Sequence, residues 1–146
     1  MSITQNYRDK HRELLELASQ IIGLIEKKNI VDDAAEMRQI LAILAGKLRV
    51  HLATEDRHLY PLLLAHDDGA VRQCAEEFIS EMGDIYTHFT EYIDRWPNAI
   101  SIEEKPGDFV TETLGMLKRL AERMEREDNK LYPLADKSTA PAQPLY

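Results

Sequence analysis

Apolar residues recur every three to four positions along nearly the whole chain, the period of an amphipathic helix. The first stripe passes through Tyr7, His11, Leu14, Leu15, Ala18, Ile21, Ile22 and Ile25. It predicts helix A over about Thr4 to Lys28, ended by Asn29. Asp32 or Asp33 can cap helix B, whose stripe runs Met37, Leu41, Leu44 and Leu48 and continues into His51 and Glu55. Pro61 should bend or stop that helix, because proline lacks the amide hydrogen that the ladder needs. The LLLA segment beyond it can extend helical structure to about Ala65. After the turn HDDG, helix C carries Phe78, Met82, Ile85, Phe89 and Ile93, and Trp96-Pro97-Asn98 stops it. The segment to Gly107 reads as one long connection. Asp108 can cap helix D, with Val110, Leu114, Leu117, Leu120 and Met124 on its stripe. No stretch alternates with the period of a strand. These elements predict an all-α protein, an antiparallel up-down-up-down four-helix bundle over residues 1–137. The Pro-, Ala- and Ser-rich STAPAQPLY, residues 138–146, is expected to be a flexible tail.

Several polar residues sit on the faces meant for the core. His51 and Glu55 continue the apolar stripe of helix B one turn apart, so both can converge on one point. Glu127 holds the matching place on helix D, seven residues after Leu120. His11 lies on the stripe of helix A, and His88 follows Ile85 on helix C. His11 and His51 stand 19 and 21 residues from the turn near Ile30, and His51 and His88 stand 16 and 21 residues from the turn near Asp67. At 1.5 Å of rise per residue the mismatches are about 3 and 7 Å, so the misplaced groups are expected to gather in one slab. Buried carboxylates and imidazoles are costly unless they pair or hold a metal. Their mixture points to iron, zinc or manganese. A bare hydrogen-bonded network would also satisfy them, but five such residues at one level favour the ion.

The chain repeats itself at this level. HLATEDRHLYPLL at 51–63 and RMEREDNKLYPLA at 123–135 share Glu-Asp and Leu-Tyr-Pro-Leu at a constant offset of 72. Arg123 stands where the first copy has His51. With His11 in KHREL and His88 in YTHFTEY, this doubled unit resembles the hemerythrin-like, or HHE cation-binding, family. The resemblance spans the chain apart from the tail. It implies a four-helix bundle holding non-haem iron and makes His11, His51, Glu55, His88 and Glu127 candidate ligands, the glutamates as bridges. It also implies a role in sensing or handling oxygen, iron or nitric oxide, with a small diatomic ligand. Arg123 departs from the pattern, since a guanidinium cannot ligate a cation. Three outcomes are open: a mononuclear site, a depleted dinuclear one in which water or Asp84 replaces the imidazole, or a metal-free module in which Arg123 pairs with Glu55 or Glu127. The dinuclear outcome ranks lowest. Tyr92 is a further candidate for iron, and zinc is a further candidate ion.

Bulk properties narrow the picture. At 146 residues with a net charge of −8, the chain should repel nucleic acid and anionic membranes. A single cysteine, Cys74, and a polar N-terminus without an apolar signal core lead us to expect a cytoplasmic protein. Glu55-Asp-Arg-His58 also spells the Glu-x-x-His of ferritin-type bundles, but its counterpart ends in Lys130. Nothing pairs a nucleophile with a base or forms a phosphate loop, so binding or sensing is expected rather than catalysis.

Overall fold

The computed structural model describes residues 2–138. Four long helices dominate: α1 (Gln5–Glu26), α2 (Ile30–Thr54), α4 (Gly69–Arg95) and α6 (Pro106–Arg126). Three short ones, α3 (Tyr60–Leu64), α5 (Ala99–Glu104) and α7 (Tyr132–Ser138), complete an all-helical chain with no strand among the described residues. Helix α1 packs on α2 and α6, and α4 packs on α6. Of the tail predicted at 138–146, Ser138 is the last residue of α7 and residues 139–146 lie outside the described residues.

Some boundaries differ from expectation for local reasons. Helix α1 stops at Glu26 rather than Lys28, because Lys28 takes a left-handed conformation with φ of 59°. Asn29 then precedes α2, and Asp32 and Asp33 fall inside its first turn, where they favour the positive end of the helix dipole. Asp68 caps α4 by accepting from the Ala70 N–H. The long connection is itself partly helical: Asn98 and Ser101 form a capping box that starts α5, and Ile102 anchors it in the core. Helix α6 begins at Pro106, whose fixed φ suits a first turn.

Neither proline stops its helix outright. Glu55–Leu59 and Glu127–Leu131 each form one wide π turn, in which the N–H of Tyr60 or Tyr132 reaches the carbonyl five residues back. Pro61 and Pro133 follow directly and cannot donate, so the ladder opens just before them. In an α-helix the fifth residue on would lie about 140° away. The wider turn brings Tyr60 and Tyr132 back towards the face that carries Glu55 and Glu127.

The core falls into two apolar clusters. The larger contains Leu14, Ile21, Met37, Leu44, Phe89, Phe109, Leu120 and their neighbours. The smaller contains Tyr7, Leu59, Tyr60, Leu63, Phe78, Leu131 and Tyr132. Each fully buried Leu, Ile or Phe contributes roughly 1.5–3 kcal/mol. The buried titratable groups of α1, α2, α6 and the π turns fall between these clusters: His11 after Tyr7, His51 and Glu55 after Leu48, Arg123 and Glu127 after Leu120.

Candidate metal centre

The buried polar layer is built from α1, α2, α6, the two π turns and the first residue of α7. His11, His51, Glu55, Arg123 and Glu127 are all at most 4% exposed. Helix α1 presents His11, whose Nδ1 lies 2.9 Å from Asp128 Oδ1. A carboxylate there accepts the Nδ1 proton, which leaves the Nε2 lone pair facing inward. That Nε2 lies 3.1 Å from His51 Nε2 and 3.4 Å from Glu127 Oε1. One turn beyond His51, Glu55 Oε1 stands 3.0 Å from its Nε2. Tyr132, turned inward by the second π turn, donates to Glu55 Oε2 at 2.9 Å, and its oxygen is 3.0 Å from His11 Nε2. The ligand atoms of His11, His51 and Glu127 all lie within 4.8 Å of one another.

This arrangement leaves several buried polar atoms without a hydrogen bond. Neither oxygen of Glu127 accepts a hydrogen bond, and Glu55 Oε1 and His51 Nδ1 also lack one. Burial, and then the charge of Glu55, push the Glu127 carboxyl well above the ordinary carboxylate range, although Arg123 and His51 oppose the rise. Burial also lowers His11, more than Asp128 raises it, so its imidazole is held neutral as a ligand must be. The Tyr60 and Tyr132 hydroxyls are pushed up by burial and by the two glutamates.

Arg123 does not pair with Glu55 or Glu127. Its Nη1 lies 2.5 Å from Glu81 Oε2, its Nη2 donates to the Phe78 carbonyl, and its guanidinium lies 4.1 Å from the centre of the Phe78 ring. Arg126 joins it on Glu81.

The structure does not bring His88 to the others. Its side chain is 55% exposed, with Nδ1 3.9 Å from Glu91. Counting from the turn put it at the right height within two turns, but Phe89 and Tyr92 form the buried face of α4, and His88 is rotated away. Asp84 is exposed as well. Tyr92 is buried in the larger apolar cluster, its hydroxyl 2.5 Å from Thr113 Oγ1. His58 is exposed on the first π turn. From the sequence Asp128 reads as part of a mostly solvated face with Glu125, whereas here it lies on His11 Nδ1; the Glu-Asp shared by both repeats carries the signal.

Residues 2–135 match the model of the hemerythrin HHE cation-binding domain. The chain belongs to this family. No curated protein and no solved structure matches it. Hemerythrin-domain chemistry calls for a cation, and the donors here fit one. Two neutral-capable imidazole nitrogens and carboxylate oxygens without a hydrogen bond face one another in a buried layer, where a bare carboxylate would be costly. A cavity of about 300 Å³ lined by Tyr7, Gly46, Val50 and His51 from α1 and α2 reaches this layer from outside. No helix among the described residues is long and apolar enough to cross a membrane.

Proposed function

We propose that the protein is a hemerythrin-type, cytoplasmic metal protein that holds a transition-metal ion, iron in preference to zinc, in an antiparallel up-down-up-down four-helix bundle. His11, His51, Glu55 and Glu127 hold the ion, Asp128 fixes the tautomer of His11, and Tyr132 orients Glu55. Iron in such mixed imidazole and carboxylate surroundings supplies an open coordination position and a one-electron couple. The chain's part is to bring those ligands together, to keep the His11 imidazole neutral, and to admit a small diatomic molecule along the cavity beside His51. Sensing or handling of oxygen, iron or nitric oxide follows from that combination.

The observation that carries the reading is Glu127: both its oxygens are buried and accept no hydrogen bond, and one lies 3.4 Å from the inward nitrogen of His11. A metal-free module in which Arg123 supplies the missing cation has less support, because the guanidinium is committed to Glu81 and the Phe78 carbonyl.

Metal analysis of protein purified without oxygen and loaded with ferrous iron tests the reading. About one iron per chain is expected, with Glu127→Gln and His51→Ala each weakening retention at least tenfold while the far-UV dichroism stays unchanged. Iron content well below one per chain in the unmodified protein would sink it.

A further inference from the structure

The repeat seen in the LYPL segments extends through the whole core. Met37, Leu41, Leu44, Leu48 and His51 of α2 correspond, at an offset of 72, to Phe109, Thr113, Met116, Leu120 and Arg123 of α6, and every one is buried. Tyr7, His11, Ala18, Ile21 and Ile25 on α1 and its end correspond, at an offset of 71, to Phe78, Met82, Phe89, Tyr92 and Trp96, again all buried. The two π turns obey the same relation. On this register the counterpart of His11 is Met82, that of His51 is Arg123, and that of Asp128 is Asp56.

The two halves differ in what they do with the space. In the first, the cavity of about 300 Å³ leads to His51. At the matching place in the second, the cavity lined by Ile85, Arg119, Glu122, Arg123 and Arg126 shrinks to about 130 Å³, and Glu81, the counterpart of Lys10, holds Arg123 and Arg126 across it. The supporting groups nevertheless persist. Asp56 and Tyr60 line one cavity with Met82, as Asp128 and Tyr132 flank His11 in the first half.

We infer that the molecule contains a second, closed half-site, in which Met82 and Arg123 stand in both imidazole positions and the Arg123–Glu81 pair keeps a cation out while Asp56 and Tyr60 remain in supporting places. This rests on the reading of the first half as a metal centre. A permanent cation repels a second ion, and a thioether is a poor ligand for ferrous iron beside carboxylates.

Iron stoichiometry and nuclear magnetic resonance of full-length variants test this. The unmodified protein should bind one iron per chain, and Met82→His with Arg123→His should bring the content towards two. Two per chain in the unmodified protein, or one in a folded double variant, overturns the inference and leaves the first site standing; none in the unmodified protein removes the reading beneath it. Should the double variant not fold, Met82→His alone keeps the Arg123–Glu81 pair. It should show a slowly exchanging imidazole N–H that disappears when Asp56→Asn is added. Absence of that signal, or its indifference to Asp56→Asn, also overturns the inference.

Discussion

Asp128 decides which nitrogen of His11 faces the core. It is partly exposed and is not placed to hold an ion itself, yet its carboxylate accepts from Nδ1 and leaves Nε2 free for one. An amide at this position can present either its oxygen or its nitrogen to the ring, so the tautomer is no longer fixed. Asp128→Asn is expected to weaken iron binding about 10- to 100-fold while leaving the fold intact, as measured by competition with a chelator. The residue scale is also where the sequence was most legible, and where it failed. His11, His51, Glu55 and Glu127 were visible because each breaks an apolar stripe at a helical spacing. His88 was misplaced because a stripe read from Ile85 does not separate an inward residue from one rotated by about 100°. Counting from the B–C turn also ignored the π turn that lies on one side of it. The true counterpart, Met82, was hidden by being apolar, which is what a core position ordinarily looks like.

At the scale of elements, the prolines were legible and their effect was not. A proline signals a break in the ladder, but whether the helix stops, kinks or widens depends on what the next residues can bury. Here Leu59 and Tyr60, and likewise Leu131 and Tyr132, are all buried, and the widened turn carries each tyrosine inward beside its leucine. Helix α5 was missed for a related reason: its capping box is a local signal inside a short segment with no periodic stripe. Besides Tyr7 and His11 on Tyr132 and Arg8 on Asp136, a clasp at Thr4 fastens the start of α1 to α7. The N–H and hydroxyl of buried Thr4 both go to Asp136, at 3.2 Å and 2.8–2.9 Å. Asp136→Ala leaves these donors unsatisfied and is expected to cost about 1–3 kcal/mol, read from urea denaturation midpoints, with the number of irons per chain unchanged. A loss of iron as well would mean that the clasp also holds His11 in register.

Across the whole molecule, the buried layer should set how stability follows pH. Glu127 has its folded pKa raised, so the stability that its protonated form contributes is complete below the ordinary carboxylate value of about 4.3. It is lost as pH rises through the raised value. His11 works in the opposite sense, since its folded pKa is lowered and its stability is lost as pH falls below about 6.5. The difference between the protein and its Glu127→Gln variant isolates the glutamate. Without metal, the unmodified protein should lose stability relative to the variant as pH increases from about 4.3. With iron bound the trend should reverse, because the ligands must then be deprotonated. Thermal denaturation of both forms across pH would show it, and parallel profiles would exclude a titrating Glu127.

The same layer makes the molecule mechanically uneven. The smaller apolar cluster, with α3, α7 and the start of α4, lies across this layer from the larger one. The side chains between them carry charge that depends on protons or a cation rather than on packing alone. Filling or emptying the layer therefore alters how firmly one end of the molecule is fastened to the rest, which turns the occupancy of a hidden centre into stiffness at an outer surface.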